Sequence, residues 1–123
     1  MIKQILFVGL GGAFGSILRF LTSLLTAKYY SNTFPLATFI TNVLGCFLIG
    51  LFIGILGQNI QTNSSLKLLL ITGFCGGYTA FSTFSAENIS LFNTNQYLIA
   101  ILYIITSIFI GLLALWFGFI ITK

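Results

Sequence analysis

Apolar residues fall into four long blocks along this chain, separated by short polar clusters. The first block extends from Ile5 to Ala27, with Arg19 as its only charge. Lys28-Tyr-Tyr-Ser-Asn-Thr forms a polar turn, and the second block runs from Pro35 to Gly57. Pro35 suits the first turn of a helix, where its missing N–H is not needed. Gln58 to Ser65 is a loop rich in Asn, Gln, Ser and Thr. The third block starts near Leu66 and loses its apolar character between Gly76 and Ser85. After the turn Asn93-Thr-Asn-Gln, a fourth block spans Tyr97 to Ile121. A helix needs about 20 apolar residues to cross a bilayer. The pattern therefore predicts an all-α membrane protein with four transmembrane helices, at about 4–27, 35–57, 66–92 and 96–121. They form a single membrane domain over 1–123, with the third helix broken near 75–80.

Composition agrees with that solvent. Apolar residues make up 58% without counting glycine, and charged residues only 5%. Soluble domains carry about a quarter charged residues. One acidic and five basic side chains cannot cover a surface that faces water. Lys3 ahead of an apolar stretch raises the reading of a signal peptide. No small-residue cleavage site follows it and three more spans do, so the segment reads as a retained first helix.

The inventory also excludes chemistries. The chain has no histidine and a single carboxylate, Glu87, and its cysteines lack metal-ligand spacing. Zinc sites, Ser-His-Asp triads and paired-carboxylate mechanisms lack parts, so no enzyme is expected. Cys46 and Cys75 lie inside apolar runs, where a lone cysteine behaves as a small hydrophobe. Lys3, Arg19, Lys28, Lys67 and Lys123 are scattered singly, with no basic run to follow a nucleic-acid backbone. Lys3, Lys67 and Lys123 share one side of the membrane. Lys28 lies on the other side, and Arg19 lies nearer to Lys28. That bias is weak under a rule that counts loop cations. A single orientation with the N-terminus inside and insertion both ways round stay open.

In so apolar a chain, the polar residues at membrane depth carry the information. They are Arg19 in the first span, Asn42 in the second, and Thr79, Ser82, Thr83 and Ser85 in the third, with Glu87 beyond. The fourth span adds Tyr103, Thr106 and Ser107. Taken singly, each Ser or Thr reads as a hydroxyl bonded to its own helix, and Asn42 as interhelical glue. Together they supply neutral donors and positive charge with almost no negative charge, a lining that suits a small anion. Gly11-x-x-x-Gly15 and Gly50-x-x-x-Gly54 read as flat packing faces. Gly76-Gly77 followed by Tyr-Thr-Ala suggests a helix break, whose freed carbonyls can coordinate a monovalent cation. Phe81 and Phe84 share a helical face directly after it. Their positive ring edges could stabilise a partly dehydrated anion, although core packing also accounts for them.

Three motifs combine these residues: Gly11-Gly-x-x-Gly-x-x-x-Arg19, Pro35-Leu-Ala-Thr-Phe-Ile-Thr-Asn42-Val-Leu-Gly45, and Gly73-Phe-Cys-Gly-Gly-Tyr-Thr-Ala-Phe-Ser-Thr-Phe-Ser-Ala-Glu87. In order and spacing they resemble the CrcB/Fluc family of fluoride channels across nearly the whole chain. The fourth helix matches more loosely, and Ala80 stands where the family usually has a second threonine. The resemblance implies an antiparallel, dual-topology homodimer of inverted subunits in the cell (inner) membrane, surrounded by lipid. It implies passive, selective fluoride export, and a structural sodium ion held by the backbone carbonyls of Gly76 and Thr79. It implies Asn42 as an anion ligand, Phe81 and Phe84 as an aromatic box, and Ser82 and Thr83 as pore-side hydroxyls. Tyr103 and Ser107 would extend that path, with Arg19 and Glu87 near the vestibules. Two rival readings are a small four-helix proton-coupled drug exporter and a non-transporting membrane subunit. The exporter usually relies on a carboxylate in its first helix, where this chain has Arg19. The subunit would leave the polar stretch from Gly76 to Ser85 without a purpose.

Overall fold

The computed structural model describes residues 1–56 and 65–122; Gly57, Lys123 and the predicted Gln58–Ser65 loop lie outside the described residues, except that Ser65 opens the next helix. Helix α1 (Ile2–Tyr29) carries Lys28 in its last turn, where a cation meets the negative end of the helix dipole. Helix α2 (Leu36–Leu56) starts directly after Pro35, whose carbonyl accepts the Phe39 N–H at 3.1 Å. The third span has two parts. Its first part, α3 (65–78), is α-helical over Ser65–Lys67, π-helical over Leu68–Cys75 and α-helical again over Gly76–Tyr78. Its second part, α4 (Phe81–Asn93), leads through a tight turn into α5 (Tyr97–Ile120). In that turn Asn95 adopts φ 63°, and the Gln96 N–H reaches back to the Leu91 carbonyl at 2.8 Å. Asparagine tolerates this left-handed conformation and closes a helix end in place of glycine.

Four helical stretches are long and apolar enough to cross a membrane: Ile2–Tyr29, Leu36–Leu56, Ser65–Asn93 and Tyr97–Ile120. The two residues of the third that leave the helix are Thr79 (φ −77°, ψ 158°) and Ala80 (φ −144°, ψ 88°). The Gly76–Gly77 pair, where the sequence suggests the weak point, is helical. Gly77 serves a different purpose: a Cβ there would lie 2.6 Å from the Gly12 carbonyl oxygen.

Helix pairing skips a neighbour each time. α1 packs along α3, and α2 packs along α5. Both seams depend on glycine, because lipid tails offer no hydrophobic drive and helices gain most by close backbone approach. Gly11 and Gly15 abut the backbone of Leu69, Phe74 and Tyr78. Gly50 abuts the Leu115 backbone, and Gly118 faces Phe47 and Leu51. Few residues are buried within the chain, and most large apolar side chains point outward. A small core of Leu91, Ala100 and Tyr103, with Phe34, Phe39, Phe84 and Ile99 packed on it, ties α4 to α2 and α5.

Candidate functional site

The site forms around the break, and α2 supplies its partners. Asn42 Oδ1 accepts the Ala80 N–H at 2.8 Å. In an unbroken α-helix that N–H would bond to the carbonyl four residues earlier, at Gly76. Asn42 thus stands in for the helix backbone and frees the Gly76 carbonyl at an exposed position. Because its oxygen is committed, the amide orientation is fixed. Its Nδ2 donor end has no hydrogen-bond partner among the described residues. The Thr79 N–H and hydroxyl both reach the Cys75 carbonyl, each at 3.0 Å.

Beyond the break, aromatic rings form a row. Phe81 and Phe84 lie 6.1 Å apart between centroids, Phe84 and Tyr103 4.9 Å, and Tyr103 meets Phe34 edge-on at 5.2 Å. Phe84 is half-buried, whereas Phe81 is 80% exposed. Ser82 and Thr83 are exposed between them.

Glu87 lies further along α4 with both oxygens occupied. The Tyr103 hydroxyl donates to Oε1 and the Thr38 hydroxyl to Oε2, each at 2.8 Å. Two neutral donors match an acceptor-only carboxylate without cancelling its charge. Glu87 also borders a cleft of about 430 Å³ whose rim includes Asn32, Thr33, Ser90, Thr94 and Gln96. The structure thereby joins Tyr103 to Glu87, two residues the sequence reading assigns to different parts of the path. Tyr103 is fully buried, so its hydroxyl is spent on this bond. Ser107, one turn on, has a buried hydroxyl with no partner among the described residues. Arg19 stands on α1, half-buried, and shares no hydrogen bond with Glu87.

Hydroxyls away from this cluster behave as single Ser and Thr residues commonly do. Those of Thr22 and Thr106 bond to the carbonyls of their own helices. The cysteines are free, and Cys75 is buried. No group of three or more His, Cys, Asp or Glu side chains that could hold a metal occurs among the described residues. A cation here would need carbonyl oxygens, and the break provides that donor type at Gly76 and Thr79.

Sequence reasoning missed two participants. Thr38 was legible, since it lies four residues before Asn42 and on the same helical face. Asn88 was not singled out: it is buried, its Nδ2 donates to the Phe84 carbonyl at 2.9 Å, and its Oδ1 has no partner among the described residues.

Comparison with known proteins adds an independent line. Residues 6–119 match the family model described as CrcB-like protein, Camphor Resistance (CrcB). A protein of Flavobacterium psychrophilum named fluoride-specific ion channel FluC is 56% identical over 121 residues, 98% of each chain. Proteins of the same name from Azobacteroides pseudotrichonymphae and Gloeothece citriformis are each 44% identical. The first covers 100% of this chain and 98% of the relative, the second 98% and 97%. A family match over nearly the full length, together with identity this high, leaves one assignment: the chain belongs to the CrcB family.

Proposed function

We propose that this chain conducts fluoride passively and selectively across the membrane, lowering fluoride inside the cell. The observation that carries this reading is the state of Asn42. Its oxygen holds the break at Ala80, the residue directly before Phe81, and its Nδ2 donor has no hydrogen-bond partner among the described residues. Fluoride holds water tightly, so a selective path must replace that water with donors at close quarters. An amide N–H bonded to an ion contributes about 1.5–3 kcal/mol. Positive ring edges at Phe81 and Phe84 add smaller terms along the same path. Ser82, Thr83 and Ser107 supply hydroxyls to it, Tyr103 reaches it through Glu87, and Arg19 offers positive charge toward a vestibule. A proton-coupled exporter is disfavoured because the only carboxylate is tied up by two hydroxyls.

The assembly proposed is an antiparallel homodimer of inverted subunits in the cell membrane. Support comes from the outward-facing apolar side chains and the weak charge bias between the two ends of the bundle. Across such a dimer, the carbonyls of Gly76 and Thr79 would hold a structural sodium ion, coordinated by oxygens left without N–H partners.

The decisive experiment is fluoride efflux from liposomes containing only the purified protein, with chloride as control. Rapid fluoride efflux with chloride retained is expected. Similar efflux of both ions, or of neither, refutes the channel. Cysteine labelling at position 123 in intact cells should find the C-terminus on both faces of the membrane, and one-sided labelling rejects dual topology.

A further inference from the structure

Thr38, Asn42 and Gly45 share one face of α2, four and three residues apart. Each meets the third span at its own level. Thr38 reaches Glu87, Asn42 takes the Ala80 N–H, and Gly45 lies against Thr79. This glycine contact differs from those of Gly11, Gly15, Gly50 and Gly118, where glycine faces backbone. At Gly45 an added Cβ would run into Thr79 Cγ2, and it would lie 3.6 Å from Thr79 Cβ and 3.7 Å from Tyr78 Cδ2. The γ-methyl of the first residue of the break therefore occupies the hollow left by a missing side chain.

Thr79 is held from two directions. Its hydroxyl is bonded to the Cys75 carbonyl at 3.0 Å, and its methyl is seated at Gly45. A β-branched residue with both branches engaged has a single side-chain rotamer available. The next residue, Ala80, is anchored to α2 through Asn42. A side chain at position 45 would therefore push Thr79 outward, because the chain cannot slide along α2 to relieve the contact.

We propose that Gly45 is a positioning residue for the break. By seating the Thr79 γ-methyl, it fixes the Thr79 peptide and the direction of the Thr79 carbonyl. The inference rests on the reading of the break as a sodium site within a fluoride channel. Gly45 touches neither ion and acts through Thr79.

The test is Gly45→Ala made in two backgrounds, wild type and Thr79→Ser. Serine keeps the hydroxyl and removes the methyl that the new Cβ would strike. The readouts are fluoride efflux from liposomes and the rise in melting temperature on exchanging N-methylglucamine for sodium. In the wild-type background, Gly45→Ala is expected to cut flux by about tenfold or more and to reduce the sodium-dependent rise. In the Thr79→Ser background the same substitution is expected to change each readout by less than about twofold, the mark of two residues coupled by one contact. Equal losses in both backgrounds overturn the proposal, as do normal flux and sodium response in Gly45→Ala alone. A drop in melting temperature that is the same with and without sodium also overturns it, since general packing damage would do that. Unmutated protein that passes no fluoride, or shows no sodium response, instead refutes the reading underneath and takes the inference with it.

Discussion

Replacing Phe81 or Phe84 with isoleucine separates ring chemistry from packing, because the two rings are held so differently. Phe84 contacts two aromatic neighbours, Phe81 at 6.1 Å and Tyr103 at 4.9 Å. Each aromatic pair contributes about 0.5–1.5 kcal/mol beyond its buried area, so Phe84→Ile should cost about 1–3 kcal/mol. Phe81 has Phe84 as its one aromatic neighbour among the described residues and is 80% exposed. Phe81→Ile should cost no more than about 0.5–1.5 kcal/mol. Isoleucine keeps most of the volume, so both variants should fold. If the ring edges stabilise the passing anion, flux should fall steeply in both, about tenfold for each 1.4 kcal/mol added to the barrier. Thermal unfolding in detergent reads the first quantity, and fluoride efflux from liposomes reads the second. The expected result is unequal stability with comparable loss of flux. Flux that follows stability, with Phe84→Ile impaired and Phe81→Ile near wild type, would show that the rings act only as packing.

Three other outcomes follow from contacts on the same helices. Asn42→Leu keeps bulk but leaves the buried Ala80 N–H unpaired, which should cost about 1–3 kcal/mol in thermal unfolding and abolish fluoride efflux. Tyr103→Phe retains the ring contacts and removes one donor from Glu87, so stability should drop by about 1.5 kcal/mol, the lower end for a charged acceptor that water can reach. The drop should vanish when the comparison is made in a Glu87→Ala background. Gly118→Leu would force α5 away from Phe47 and Leu51 of α2 and should prevent recovery of a monodisperse protein on size-exclusion chromatography. Gly9→Ala, with nothing within 4 Å of the new Cβ, should elute unchanged.

The four spans were legible because bilayer thickness imposes a length on apolar runs, and that signal is local. The broken third span was legible in outline for a similar reason, since Thr79, Ser82, Thr83 and Ser85 interrupt an apolar run. Its mechanism was not. Adjacent glycines suggest weakness at Gly76–Gly77, yet α1 packs against that stretch and holds it helical. The chain leaves the helix two residues later, where Asn42 of another span competes for the Ala80 N–H. A competitor 38 residues away in sequence leaves no mark on local periodicity. The same holds for Glu87, whose partners Thr38 and Tyr103 come from two other helices. The π-helical stretch Leu68–Cys75 was invisible, because an unbroken apolar run reads the same in either helix type.

The skipped pairing of helices bears on how the chain is made. Sequential elements usually lie side by side, so most chains can assemble neighbour on neighbour as they emerge. Here α1 and α2 are made before α3, α4 and α5, and neither finds its main partner in the other. The glycine face of α1 waits for α3, and that of α2 waits for α5, two spans later in the chain. Until the third span has followed, Thr38 and Asn42 have no Glu87 or Ala80 to bind. Insertion and folding are therefore separate events for this chain. A nascent product stopped before the third span would leave both polar side chains of α2 without these partners.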